Sequence, residues 1–234
     1  MDAFHQQLAR IAFDAAADLG LILAGGYAIR AHGLTSRPSR DLDFVTRSPL
    51  PLADVTERLA AVYRTSGFGT HIIESAPTAS RFEVVDGART CEIDLLKEGV
   101  GDPVVLGIGT VLNRDDAVGL KVGALHDRAA HRDFVDIHAA HTRGGYALRD
   151  LERLGAAHLT DFSLRELLFK LDGLAFLDDS TFGEYGLTED DIAVLHGWAQ
   201  TWAGDLRARL TSDDTPDGAV RDRVDWDDYL DDGT

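Results

Sequence analysis

Leu21-Ile22-Leu23-Ala24-Gly25-Gly26 and Asp41-Leu42-Asp43-Phe44-Val45-Thr46 together decide the fold. The first is a short apolar run halted by two glycines, read as a buried strand that turns into a helix. Glycine has no Cβ, so backbone N–H groups there can approach an anion closely, and the following helix directs its positive dipole end at it. The second run alternates, with Leu42 and Phe44 on one face and Asp41 and Asp43 on the other, as in a half-buried strand. Two carboxylates side by side repel unless a cation lies between them, and hard oxygen ligands suit Mg²⁺ held together with substrate phosphates. Either signal alone also fits a plainer reading, a simple turn or a solvated strand face.

A third carboxylate gives the pair its meaning. In Thr90-Cys91-Glu92-Ile93-Asp94-Leu95-Leu96 the apolar Cys91, Ile93 and Leu95 face a core, which leaves Glu92 and Asp94 on the opposite face. If this strand pairs beside 41–46, Asp94 approaches Asp41 and Asp43. Three carboxylates are what two-metal phosphoryl transfer needs, and Asp94 is the preferred acceptor of the attacking hydroxyl's proton.

The rest of the chain frames these elements. Residues 3–19 place Phe4, Leu8, Ile11, Ala12, Ala15 and Leu19 on one helical face, ended by Gly20. A helix runs from Gly25-Gly26 to about His32, and another from about Ala53 to Ser66 carries Val55, Leu59 and Val62. Strands follow at 70–74, 81–86 and 89–96, the last two joined at the turn signal Asp86-Gly87, with a further edge strand within 103–111. From Arg114 onward the pattern is helical, at about 114–128, 131–141, 147–158, 163–177 and 188–210. Strands and helices mixed early and helices alone later predict an α+β fold: a mixed-sheet domain over 1–112, a helical domain over 113–210 and an acidic, disordered tail over 211–234.

Composition narrows the class. The 234 residues are 44% hydrophobic, enough for a sizeable core, and no apolar run has the length of a membrane span. Met1-Asp2 leads into an amphipathic pattern without the basic patch and apolar block of a signal peptide. Cys91 is the only cysteine, which excludes an internal disulfide framework and points to a reducing cytoplasm. The net charge is −17, and the tail, with nine Asp and two Arg, contributes −7 of it. Such acidity opposes broad nucleic-acid binding, which relies on neutralising phosphates, but leaves room for a local basic groove. Arginine provides 20 of the 23 basic residues, and its guanidinium suits bidentate phosphate contacts.

Leu23-Ala24-Gly25-Gly26 followed by Arg37-Pro38-Ser39-Arg40-Asp41-Leu42-Asp43-Phe44 resembles the signature of the DNA polymerase β-like nucleotidyltransferase superfamily. More narrowly it resembles the AbiEii/MenT toxin group, and Lys121, Arg128 and Arg132-Asp133-Phe134-Val135-Asp136-Ile137 support the narrower likeness. The resemblance covers roughly residues 21–140. It implies that Gly25 and Gly26 hold an NTP triphosphate with Ser39 nearby, and that Asp41 and Asp43, completed by Asp94, bind Mg²⁺ or Mn²⁺. It further implies that Lys121 contacts the nucleotide phosphates and that Asp136 serves as metal support or base. The acceptor it implies is a tRNA 3′ end, in a toxin with a cognate antitoxin protein.

Other readings compete. Acidity favours a polycationic small-molecule acceptor, as in an aminoglycoside adenylyltransferase. A catalytically degenerate domain that only binds nucleotide or a partner is a third. Asp133 reads as a structural partner of an arginine, whereas Asp136 divides evenly between structure and function. His126, His131, His138 and His141 lack zinc-site spacing and read as helix surface or core, and Trp198 and Trp202, at i,i+4, as packing residues.

Overall fold

The computed structural model describes residues 1–213. The expected acidic tail therefore lies outside the described residues, apart from 211–213, which form the last turn of a helix. A seven-stranded mixed sheet is followed by helices, the α+β arrangement that the sequence pattern predicts.

Helix α1 (Ala3–Ala15) opens the chain, capped by the Asp2 carboxylate on the Phe4 and His5 amides. A 3-10 turn (Ala17–Leu19) replaces the last expected turn of this helix and ends at Gly20, left-handed at φ 57°. Strand β1 (Leu21–Leu23), helix α2 (Gly25–Ala31), strand β2 (Asp41–Thr46) and helix α3 (Leu52–Thr65) follow. Strands β3 (Gly69–Ser75), β4 (Ala79–Asp86) and β5 (Arg89–Leu96) form a meander, then β6 (Val104–Leu106) and β7 (Gly109–Val111) a small hairpin.

The sheet order is β3-β4-β5-β2-β1-β7-β6. β2 runs antiparallel to β1 and parallel to β5, so the strands carrying the acidic pairs are neighbours. The expected single edge strand at 103–111 is in fact two strands. β7 joins β1 in parallel through Leu23 and Val111, and β6 becomes the edge. Gly109 permits this junction: its φ is 130°, and a Cβ there would lie 2.5 Å from the Phe13 ring.

Alternation assigns the two sheet faces. Leu42, Phe44, Phe82, Ile93 and Leu95 are fully buried, Phe13 meets Phe44 edge-on at 5.8 Å, and Tyr63 of α3 packs 6.0 Å from Phe82. α1 and α3 thus cover one face, while Asp41, Asp43 and Asp94 project from the other.

The helical part comprises α4 (Arg114–Asp127), α5 (His131–Thr142), α6 (Leu148–His158), α7 (Leu164–Gly173), the short α8 (Ser180–Gly183) and α9 (Glu189–Asp213). Asn113 caps α4 by accepting from the Asp116 amide at 2.9 Å. α4 and α6 approach closely at two glycines, since a Cβ on Gly119 would lie 2.7 Å from the Leu154 carbonyl and one on Gly155 2.5 Å from Val122. The helix expected over 163–177 shortens to α7 plus a 3-10 turn (Leu174–Phe176). Buried apolar side chains form one continuous cluster from Phe4 to Leu206, so the core runs through residue 112 without a break. Trp198 and Trp202 belong to it, their rings 5.5 Å apart, and the Trp202 indole N–H donates to Glu152. The four histidines of α4 and α5 also serve packing: His126 stacks on Phe162, His131 and His138 meet Phe182 and Trp198 in tilted ring contacts, and His141 bonds the Tyr146 carbonyl. Among the described residues no helix is long and apolar enough to cross a membrane.

Candidate active site

Strand register assembles the acidic cluster. β2 and β5 pair in parallel with Asp41 opposite Glu92 and Asp43 opposite Asp94. Both aspartates of β2 and Asp94 of β5 face the same side, and one carboxylate oxygen from each lies within 4.8 Å of the other two. Among the described residues this is the one group of three or more acidic, His or Cys side chains spaced to hold a metal. Hard oxygen donors in this number fit Mg²⁺ or Mn²⁺ held with phosphates.

The two glycines stand directly against this cluster. Gly25 begins α2 at φ 56°, and a Cβ there would sit 1.8 Å from Asp43 Oδ2. A Cβ on Gly26 would lie 2.5 Å from Ser39 Oγ and 3.2 Å from Arg37 Nη2. Glycine is thus required at 25 by both backbone conformation and space, and at 26 by space. Ser39 Oγ donates to Asp41 Oδ1 at 3.0 Å. Its loop is tied down from α1, because His5 Nδ1 bonds the Tyr27 hydroxyl (2.7 Å), which donates to the Ser39 carbonyl at 3.4 Å.

The three carboxylates differ in their partners. Arg132 of α5 donates to Asp41 Oδ2 at 3.0 Å. Burial works against the Asp41 charge, but Arg132, the Ser39 hydroxyl, Lys121 and Arg37 together hold its carboxyl below the usual range. Arg81, the β4 residue opposite Asp94, forks Asp94 with bonds of 2.6 and 2.8 Å. Asp43 lies between them, and among the described residues nothing hydrogen-bonds or ion-pairs with its carboxylate. Burial, with Asp41 and Asp94 adding repulsion, pushes its pKa up to about 6. A carboxylate cluster left with an uncompensated member is one that a divalent cation would stabilise.

A second set of charges lies beneath. Asp136 is fully buried, accepts 2.6 Å bonds from Arg37 Nε and Nη2, and has Lys121 Nζ 3.2 Å away. Asp133, also fully buried, is forked by Arg128 at 3.0 Å and accepts from the Ala130 amide at the start of α5. The structural reading of Asp133 as an arginine partner matches this placement. Asp136 thus has both carboxylate oxygens engaged by Arg37 and Lys121. Lys121 is buried against the same two aspartates, where its charge acts on Asp41 and Asp43 through space. Arg128 and Arg132, i,i+4 in sequence, do not share a helix: Arg128 closes α4, Ala129 adopts φ 48°, and α5 begins at His131.

Sequence reasoning left Arg37, Arg81 and Arg132 without roles. Arg37 and Arg132 stand inside the quoted motifs, but nothing local names their partners, 99 and 91 residues away. Arg81 carries no motif, and only its register with Asp94 brings it into the site.

Sheet, glycine pair and carboxylate cluster together define a nucleotidyltransferase. The chain belongs to the AbiEii nucleotidyltransferase toxin family of type IV toxin–antitoxin systems, whose family model matches residues 6–232. No curated protein sequence matches it significantly. Among solved structures it is similar to JHP933 from Helicobacter pylori, at 18% identity and TM-score 0.54, covering 89% of this chain and 94% of that one. It is likewise similar to a candidate nucleotidyltransferase from H. pylori, at 17% identity and TM-score 0.56, covering 88% and 96%. These likenesses concern the fold.

Proposed function

We propose that the chain transfers a nucleoside monophosphate from an NTP to an acceptor hydroxyl, with Asp41, Asp43 and Asp94 holding Mg²⁺ or Mn²⁺. The observation that carries this is the convergence of three carboxylates, on adjacent parallel strands, beside a glycine pair with no room for a side chain. The cation would supply positive charge against the phosphate oxygens and the leaving pyrophosphate.

The protein's own groups divide the remaining work. Gly25 and Gly26 leave the backbone open to the phosphates, and Ser39 fixes Asp41. A carboxylate of the cluster, Asp94 by preference, takes the acceptor's hydroxyl proton. The acceptor oxygen then bonds the α-phosphorus as the bond to the pyrophosphate oxygen breaks. Lys121 offsets the local negative charge from its buried position, and Asp136 keeps Lys121 and Arg37 in place. The sheet part, 1–112, holds the three carboxylates and Arg37, and the helical part, 113–210, supplies Lys121 and Arg128 behind them.

Family membership supports a toxin role with a cognate antitoxin, and the motif resemblance supports a tRNA 3′ end as acceptor, reached in the cytoplasm. The net charge of −17 favours a polycationic small molecule instead. Incubation with each α-labelled NTP and Mg²⁺, against total tRNA or a panel of aminoglycosides, separates these. Label at the tRNA 3′ end is expected. Label on an aminoglycoside alone replaces the acceptor, and NTP binding without transfer to either supports a binding-only domain.

A further inference from the structure

The cations around the cluster fall into two groups. Lys121 and Arg37, whose side chains are 9% and 4% exposed, are sealed against fully buried Asp133 and Asp136. Arg81 and Arg132, at 38% and 30%, reach the cluster from its solvent side. Arg81 comes from the sheet. It is the cross-strand partner of Asp94, which is itself the cross-strand partner of Asp43, so the three form one row across β4, β5 and β2.

Along that row Arg81 spends its fork on the third cluster carboxylate, one bond to each Asp94 oxygen. Its remaining nitrogen, Nη1, lies 3.5 Å from Glu92 Oε2, the next outward-facing carboxylate on β5. Arg81 can therefore leave Asp94 and keep an anionic anchor. A divalent cation and a guanidinium compete for the same carboxylate charge. An incoming triphosphate is a stronger bidentate acceptor for a guanidinium than a carboxylate already bound to a metal.

We propose that Arg81 is a placeholder: it neutralises Asp94 while the metal site is vacant, then yields Asp94 to the metal and pairs with the nucleotide's phosphates. This rests on the metal-dependent transfer proposed above, and it adds to that reading a triphosphate-binding residue on the sheet.

The role predicts effects of opposite sign on two ligands. In Arg81→Ala the affinity for Mn²⁺ without nucleotide, read by electron paramagnetic resonance, should rise roughly tenfold, because a competitor is gone. Affinity for the Mg²⁺ complex of a non-hydrolysable NTP, read by calorimetry, should fall by roughly tenfold or more. Arg81→Lys keeps charge without the fork and should fall between wild type and alanine on both scales. Melting temperatures confirm that both variants fold, as the exposed position leads us to expect. If Arg81→Ala weakens Mn²⁺ binding, Arg81 orients Asp94 and the placeholder role is overturned. If nucleotide affinity is unchanged, the phosphate role is overturned. Wild-type protein that binds no Mn²⁺, with or without nucleotide, overturns the metal reading itself and this inference with it.

Discussion

The inner and outer charge clusters use the same residue types to opposite ends. In the inner one, Arg37, Lys121 and Arg128 face Asp133 and Asp136, both aspartates are 0% exposed, and every carboxylate oxygen has a cationic partner. In the outer one, among the described residues, the cations paired with Asp41, Asp43 and Asp94 are Arg132 on Asp41 and Arg81 on Asp94, and none pairs with Asp43. Excess positive charge inside and excess negative charge outside give a firmly held site whose outer charge a cation would offset. Burial makes the inner pairs costly to break, whereas partial exposure lets the outer pairs exchange. Mutations should therefore separate the two, stability failing with the inner cluster and chemistry with the outer.

The largest expected effect is on chemistry. Asp41→Ala removes a proposed metal ligand and releases Arg132, and should cut transfer by roughly a thousandfold or more in a labelled-NTP assay. Asp136→Asn should act on the fold: it leaves Arg37 and Lys121 facing a neutral group and should cost about 3–5 kcal/mol in denaturant unfolding. An Asp136→Asn protein as stable as wild type would erase the distinction between the clusters. Gly25→Ala should combine both effects, with about 1–3 kcal/mol of backbone strain and a displaced Asp43. Gly33→Ala makes the control, since Gly33 has φ 72° but nothing within 4 Å of its Cβ direction, so it should lose some stability and no activity.

Acidity sharpens the same comparison. The folded protein holds Asp43's proton up to about pH 6, against a usual carboxyl value of 3.8. A raised acid binds its proton more tightly when folded, so this group's contribution to stability falls as pH rises from about 4 to about 6, then stays lost. Asp43→Asn should be free of that loss, melting several degrees above metal-free wild type at pH 7 and closer to it at pH 4. The smallest effect belongs to the exposed Arg40–Glu184 pair, 2.7 Å apart but more than half exposed on both sides. Arg40→Ala should change stability by less than about 1 kcal/mol.

Much of the site was legible because its signals are local. Alternation placed Asp41, Asp43 and Asp94 on one face, and two glycines marked the strand-to-helix junction. What escaped depends on register or distance. Arg81 matters only because β4 and β5 pair as they do, and Asp136 was ambiguous because its partner Arg37 lies 99 residues away. In the fold, β7 was missed as a separate strand because three residues carry no periodicity, and the short α8 lacks an amphipathic pattern for the same reason. Arg40 and Arg37 touch this overlooked stretch through Glu184 and Tyr185.

The central claim is that the outer carboxylates are the transfer centre. Its most direct test is transfer of an α-labelled NTP, at saturating Mg²⁺, by Asp43→Asn protein, with its melting temperature measured first to check that it folds. The account predicts no detectable transfer by this well-folded variant. Transfer within tenfold of wild type would contradict it.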